Sequence, residues 1–166
     1  VTGPDLMHEV LKISAEYSWS HYFYGSTQKV LDDMKNTIEH RYEEIECEYF
    51  SPPFEKMNEL DIKNHIYSIN ALGPNFIWIG LGAPKQEIFM KKYVSLFEHG
   101  VLIGVGAAFD FMAGHIKRAP SWMQNTSLEW LYRLIQDPVR LWKRYLVTNI
   151  KFIVFSIISI FKKRIY

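Results

Sequence analysis

Phe76-Ile-Trp-Ile-Gly-Leu-Gly-Ala-Pro-Lys-Gln-Glu87 decides the fold. Its first four residues, β-branched or aromatic, read as a buried strand, and the chain must then turn sharply at Gly80 and Gly82. Pro84 is expected to open a helix, because its ring holds φ at a helical value and its missing N–H would have no partner in the first turn. Gln86 and Glu87 then fall among the free amides of a helix N-terminus, where backbone can meet an anion. Further along, Val101 to Ile103 lead into Gly104-Val-Gly-Ala-Ala-Phe-Asp-Phe-Met-Ala-Gly114 and repeat the strand-to-glycine arrangement. In a parallel sheet such carboxyl-end loops gather on one edge, where ligands bind. The two turns therefore predict a nucleotide-type site. Strand-to-helix turns use glycine without any ligand as well, so the pattern alone leaves both readings open. It is not a dinucleotide fingerprint: Lys85 and Phe109 stand where a third glycine is needed, which makes a nicotinamide-dependent oxidoreductase a weak alternative.

Working outward, Pro4 to Tyr17 has helical apolar spacing at Leu6, Val10, Leu11 and Ile13, and His21 to Tyr24 reads as a strand closing on Gly25-Ser26. Gly25, with Ser26 and Thr27, could offer amides and hydroxyls to a phosphate, or Ser26 could simply cap the next helix. That helix carries Val30, Leu31, Met34 and Ile38 as its inner stripe, and a strand from Glu44 to Phe50 follows, stopped by Pro52-Pro53. A helix from Glu55 to Ala71 leads through Gly73-Pro74 back to the deciding stretch. Alternation of this kind argues an α/β fold with a mainly parallel sheet flanked by helices and joined by right-handed crossovers.

The 166 residues suffice for one core, and 48% hydrophobic with 16% aromatic residues excludes disorder. The single cysteine, Cys47, cannot form an internal disulfide, and its alternating run Ile45-Glu-Cys-Glu-Tyr49 suits a buried strand thiol. No two of the six histidines have the spacing of a zinc pair on one helix, and no Asp-x-Asp pair is present to hold a divalent cation on a diphosphate. Neither a metal, an organic cofactor nor nucleic acid is expected as a partner.

The net charge of +1 hides an asymmetry: residues 1–132 carry 11 Lys/Arg against 17 Asp/Glu, or −6, and residues 133–166 carry 8 against 1, or +7. We therefore read residues 1–132 as the α/β domain and 133–166 as a basic, aromatic appendage. Asp137-Pro138 starts a helix there. At 100° per residue Arg140, Arg144 and Lys151 share one face, with Trp142, Tyr145, Leu146 and Ile153 opposite. Phe152 to Phe161 hold no charge, and Lys162, Lys163 and Arg164 follow. Ten residues fall short of the roughly 20 that span a bilayer, so the segment suits an anionic membrane interface. A core-covering helix or a homo-oligomer contact would show the same pattern.

The stretches Ile79-Gly-Leu-Gly-Ala-Pro-Lys-Gln-Glu87, Gly104 to Gly114, Lys117-Arg-Ala-Pro-Ser-Trp-Met-Gln124 and Leu128-Glu-Trp-Leu-Tyr-Arg-Leu134 resemble the WecG/TagA/CpsF bacterial glycosyltransferases. The likeness extends from Val1-Thr-Gly-Pro-Asp-Leu6 through Ser51-Pro-Pro-Phe54 to Tyr145. It implies a Rossmann-like enzyme, peripheral on the cytoplasmic face of the plasma membrane. The implied reaction moves an N-acetylmannosamine-type sugar from a UDP donor to polyprenyl-diphosphate-linked N-acetylglucosamine, with inversion and without a metal, for teichoic acid, common antigen or capsule. The family glutamine falls on Gln86, facing donor sugar or acceptor hydroxyl. Asp110 matches the aspartate of the donor site, assigned to base or ribose. Gly25, Gly80, Gly82, Lys85, Glu87 and Gly106 belong to the same implied binding region. Arg133, Arg140 and Arg144 match the basic appendage that would clamp a diphosphate, with Arg118 a further candidate. The family's general-base aspartate is expected in a segment ahead of Val1, which could also supply strands. A non-catalytic module that binds nucleotide sugar and docks on membrane is the alternative.

Overall fold

A computed structural model describes residues 2–42, 44–53, 57–126 and 128–163, and within them the side chains of all but 125, 140, 144, 145, 151, 153, 157 and 160–163. Two compact units divide between Lys117 and Arg118. The first holds a four-stranded sheet of β1 (His21–Tyr24), β2 (Cys47–Phe50), β3 (Phe76–Ile79) and β4 (Val101–Gly104), in the order β2-β1-β3-β4. Every pairing is parallel, with His21 beside both Cys47 and Phe76, and Phe76 beside Val101. Parallel strands need long crossovers, which the helices supply.

Helices α1 (Gly3–Tyr17), α2 (Gln28–Arg41) and α5 (Ala108–Met112) cover one face. There Met7, Leu11, Val30, Leu31, Met34 and Phe109 pack with Phe23 and Trp78 of the sheet. Helices α3 (Glu59–Leu72) and α4 (Lys85–Tyr93) cover the other, where Ile66, Ile69, Phe89 and Tyr93 meet Tyr22, Tyr24, Ile77 and Ile79. The central strands thus bury both faces, which is why β3 reads as a continuous apolar run and not as an alternation. Phe23 and Phe109 are fully buried, each stabilising the fold by about 2–3 kcal/mol.

Several boundaries differ from expectation. Strand β2 starts at Cys47 and not at Glu44, because Ile45 and Glu46 only lead the chain up to the ladder: the Glu46 carbonyl accepts the His21 amide. As an edge strand it leaves Cys47 half-buried, and burial still pushes the thiol up to about 11, away from thiolate chemistry. Helix α3 begins at Glu59 with the Asn58 side chain accepting the Asp61 amide; the expected start at Glu55 lies outside the described residues. Thr27, not Ser26, caps α2, its hydroxyl accepting the Val30 amide. Ser26 instead takes a φ of 66°, and its carbonyl accepts the Ser51 hydroxyl.

The second unit comprises α6 (Ser121–Asn125), α7 (Glu129–Gln136) and α8 (Pro138–Lys163). Proline indeed stands first in α8, as the Asp137-Pro138 pair predicted. Leu141 is buried, whereas Val139, Phe152 and Phe155 are 83%, 72% and 68% exposed. Among the described residues no helix is long and apolar enough to cross a membrane.

Candidate functional site

Strand order places the switch point of this sheet between β1 and β3: the chain leaves β1 toward β2 on one side and returns to β3 on the other. Ligands of open α/β sheets bind beyond the carboxyl ends of the strands at such a point. The pattern of apolar residues can separate central from edge strands but does not say which strand neighbours which, so this was not legible in the sequence. The loops after β1 and β3 meet there. The Gly80 amide donates to the Tyr24 carbonyl at 2.8 Å, and a Cβ added to Gly25 would lie 2.8 Å from the Gly80 carbonyl carbon. A Cβ on Gly80 would in turn run into the Phe109 ring at 2.5 Å, so that ring lies directly beneath the turn.

Gln86 lies in the first turn of α4 and is only 7% exposed. Its side chain reaches across to the end of β4. A Cβ on Gly104 would approach its Nε2 to 3.0 Å, and one on Gly106 its Oε1 to 3.5 Å, so the two glycines leave the room that the carboxamide fills. Nε2 donates to Oε1 of Glu87 at 3.1 Å. The Gln86 Oε1 is buried without a hydrogen-bond partner among the described residues. Leaving a buried acceptor unmade costs on the order of 1–3 kcal/mol, and such an atom marks a place where a ligand or water completes the bond.

Two expectations for this turn need correction. Pro84 is the cap residue and not the first helical one, with φ −90° and ψ 6°. The Gln86 amide is also not free, because it donates to the Gly82 carbonyl at 3.0 Å in a turn that tightens ahead of the helix. Whatever Gln86 offers a ligand, it offers from its side chain.

Gly25, Gly80, Gly82, Gln86, Gly104 and Gly106 are thus brought together at one edge. Lys85 and Glu87 flank Gln86 and are exposed. Asp110 sits half-buried in α5, one residue after Phe109, with its own carbonyl accepting the His115 and Ile116 amides. Helix α5 belongs to the opposite layer from α4, so Asp110 and Gln86 are carried on opposite faces of the sheet. Arg118 lies in the second unit, where Nη2 donates to Gln124 Oε1 at 2.8 Å and Nε stands 3.5 Å from Glu129 Oε1. It is an internal tie and not a solvated cation. Arg133 is half-buried on α7. The side chains of Arg140 and Arg144 fall outside the described residues.

Two other features are set aside on physical grounds. A cavity of about 720 Å³ opens beside β2, lined by Lys35, Glu39, Tyr42, Glu44, Glu46 and Tyr49 among others, and no glycine turn borders it. Its three carboxylates against one lysine would repel a diphosphate. Ser14 and His21 stand 2.8 Å apart, but the Ser14 hydroxyl donates to the Val10 carbonyl at 2.6 Å and the Trp78 indole N–H donates to His21 Nδ1 at 3.1 Å. The imidazole therefore donates to the serine and cannot take its proton. The pair also sits at the amino end of β1, away from the glycine turns.

The Glycosyl transferase WecG/TagA/CpsF family model matches residues 1–165. The chain belongs to this family. It is 35% identical over 146 residues to the N-acetylglucosaminyldiphosphoundecaprenol N-acetyl-beta-D-mannosaminyltransferase of Bacillus subtilis strain 168, covering 88% of this chain and 55% of that protein. The enzymes of the same name from Bacillus spizizenii and Staphylococcus aureus strain MW2 are 33% and 31% identical, covering 88% and 87% of this chain and 55% and 54% of theirs. The chain thus spans about half the length of the curated relatives it matches. Both glycine turns and the Lys85-Gln86-Glu87 start of α4 fall within the matched residues.

Proposed function

We propose that this chain carries the donor site and the lipid-facing appendage of a UDP-dependent hexosyltransferase. The reaction passes an N-acetylmannosamine-type sugar to polyprenyl-diphosphate-linked N-acetylglucosamine in surface polymer synthesis. The observation that carries the reading is the orphaned Oε1 of Gln86, buried against Gly104 and Gly106 at the carboxyl end of β4. Family membership and the names of the relatives support the choice of substrate class.

In such a transfer the acceptor hydroxyl attacks C1 of the donor sugar, the C1–oxygen bond to UDP breaks, and the hydroxyl proton passes to a base. A carboxamide cannot take that proton, so Gln86 orients a reactant and the base is a different group. The charge gathering on the departing diphosphate is best met by positive groups, a role we assign to Lys85, while Arg133, Arg140 and Arg144 of the second unit are assigned to the diphosphate of the lipid acceptor. Asp110 is assigned to the ribose or base. Calorimetric titration with UDP-N-acetylmannosamine tests the reading. Gln86→Ala should weaken binding roughly tenfold, the worth of one buried hydrogen bond. Undiminished binding after both Gln86→Ala and Asp110→Ala removes the site from this edge.

We assign the appendage to the anionic inner face of the plasma membrane. The exposed apolar residues of α8 and the charge of +7 over residues 133–166 support this. Each lysine or arginine near an anionic surface contributes about 1 kcal/mol, so replacing Lys162, Lys163 and Arg164 with serine should lower partition onto phosphatidylserine vesicles by up to about 100-fold. Equal partition of the two proteins, or a concentration-dependent dimer that hides α8, overturns the membrane assignment.

A further inference from the structure

The two ends of a glutamine carboxamide have nearly the same shape and opposite hydrogen-bonding character, so neighbours decide which end faces a site. At Gln86 the neighbour is Glu87. Its carboxylate accepts and cannot donate, and it holds the Nε2 end at 3.1 Å. A reversed amide would set Oε1 against Oε1, acceptor against acceptor. The Gln86 oxygen is therefore the end left toward the Gly106 turn, buried and unpartnered.

We propose that Glu87 is a positioning residue that fixes the Gln86 amide so that its oxygen reads a hydroxyl or N–H on the ligand and turns away a phosphoryl oxygen at that point. The proposal rests on the sugar-nucleotide reading above and goes further, because it says which kind of ligand atom meets Gln86. A phosphate brings only acceptors, and acceptor facing acceptor in a site with little water is repulsive. The diphosphate must then lie away from Gln86, and the sugar or the nucleoside must supply the donor. It also gives Glu87 a role without contact to the ligand, which distinguishes it from the binding residue it was expected to be.

The test is calorimetry on the 166-residue chain with UDP and with UDP-N-acetylmannosamine. Glu87→Ala frees the amide to rotate and should weaken binding about fivefold to tenfold. Glu87→Gln can still accept the same bond through its own carbonyl, and bound ligand selects that arrangement, so affinity should stay within about threefold of the parent. Glu87→Lys should bind worst, because its ammonium donates to Oε1 and swings the N–H2 end into the site. A loss with the sugar nucleotide alone puts the donor group on the sugar, and a loss with both probes puts it on the nucleoside; either supports the proposal. Unchanged affinity in Glu87→Ala, or Glu87→Gln falling as far as Glu87→Ala, overturns it and leaves the sugar-nucleotide reading standing. If the parent chain binds neither probe, both readings fall together. The Gln86 side-chain N–H2 signals in ¹H–¹⁵N spectra give a ligand-free readout: they should move in Glu87→Ala with the thermal midpoint nearly unchanged, and their constancy counts against the lock.

Discussion

Gly25→Ala is expected to destabilise the protein by about 3–5 kcal/mol, the sum of backbone strain and overpacking. Gly25 holds φ at +120°, a conformation that side chains with a Cβ rarely adopt. The added methyl would also meet Gly80 backbone, its carbonyl carbon at 2.8 Å and its oxygen at 3.1 Å, and the Gly80 amide is tied to the Tyr24 carbonyl, so this backbone has little room to move. Gly73→Ala is the control, since Gly73 has φ +62° at the end of α3 with nothing within 4 Å of its Cβ position. It should cost only about 1 kcal/mol, the left-handed strain alone. Urea unfolding of both variants measures the difference. Equal costs would mean that the loops after β1 and β3 do not abut, and the shared edge would lose its basis. Because the clash falls at the switch point, Gly25→Ala should also weaken UDP-sugar binding in whatever fraction remains folded.

Stability should fall by about 2 kcal/mol between pH 7 and pH 5, and by about 3 kcal/mol by pH 4, through His21 alone. Burial lowers its pKa from 6.5 to about 4. Between those values the unfolded chain binds a proton that the folded chain does not, so folding is favoured in full above pH 6.5 and progressively less as the pH drops toward 4. The cause is visible in the packing. His21 is 1% exposed, its Nδ1 accepts from Trp78, and a second ring proton would set N–H against N–H. Desolvation lowers His65 in the same direction and adds to the slope. The ring carbon signals of His21 in NMR titration should hold steady through pH 5. His21→Phe should flatten the pH dependence of urea midpoints while lowering stability at pH 7, because it leaves the Trp78 indole N–H without its partner. An unaltered slope in that variant would place the linkage elsewhere.

Much of the architecture follows from local chemistry. Strands β1 and β3 lie where runs of aromatic and β-branched residues predict them, because a strand covered on both faces must be apolar throughout. The stripe Val30, Leu31, Met34 and Ile38 is buried as its period requires. Pro138 begins a helix for a reason contained in its own ring. Edges were harder to read: β2 starts late because ladder hydrogen bonds and not side-chain character determine where pairing begins.

Gln86 and the glycines were marked by residue type and by family likeness, and for the glycines the chemistry of a turn is local enough to read in one dimension. Strand order, and with it the meeting of Gly25 with Gly80 at the switch point, was settled only by packing, since the apolar pattern marks central strands without saying which strands are neighbours. The state of the Gln86 amide, bonded at one end and orphaned at the other, likewise depends on how close β4 comes to α4. Sequence determined which groups this protein could present; distances between segments far apart in the chain determined which of them face the same space.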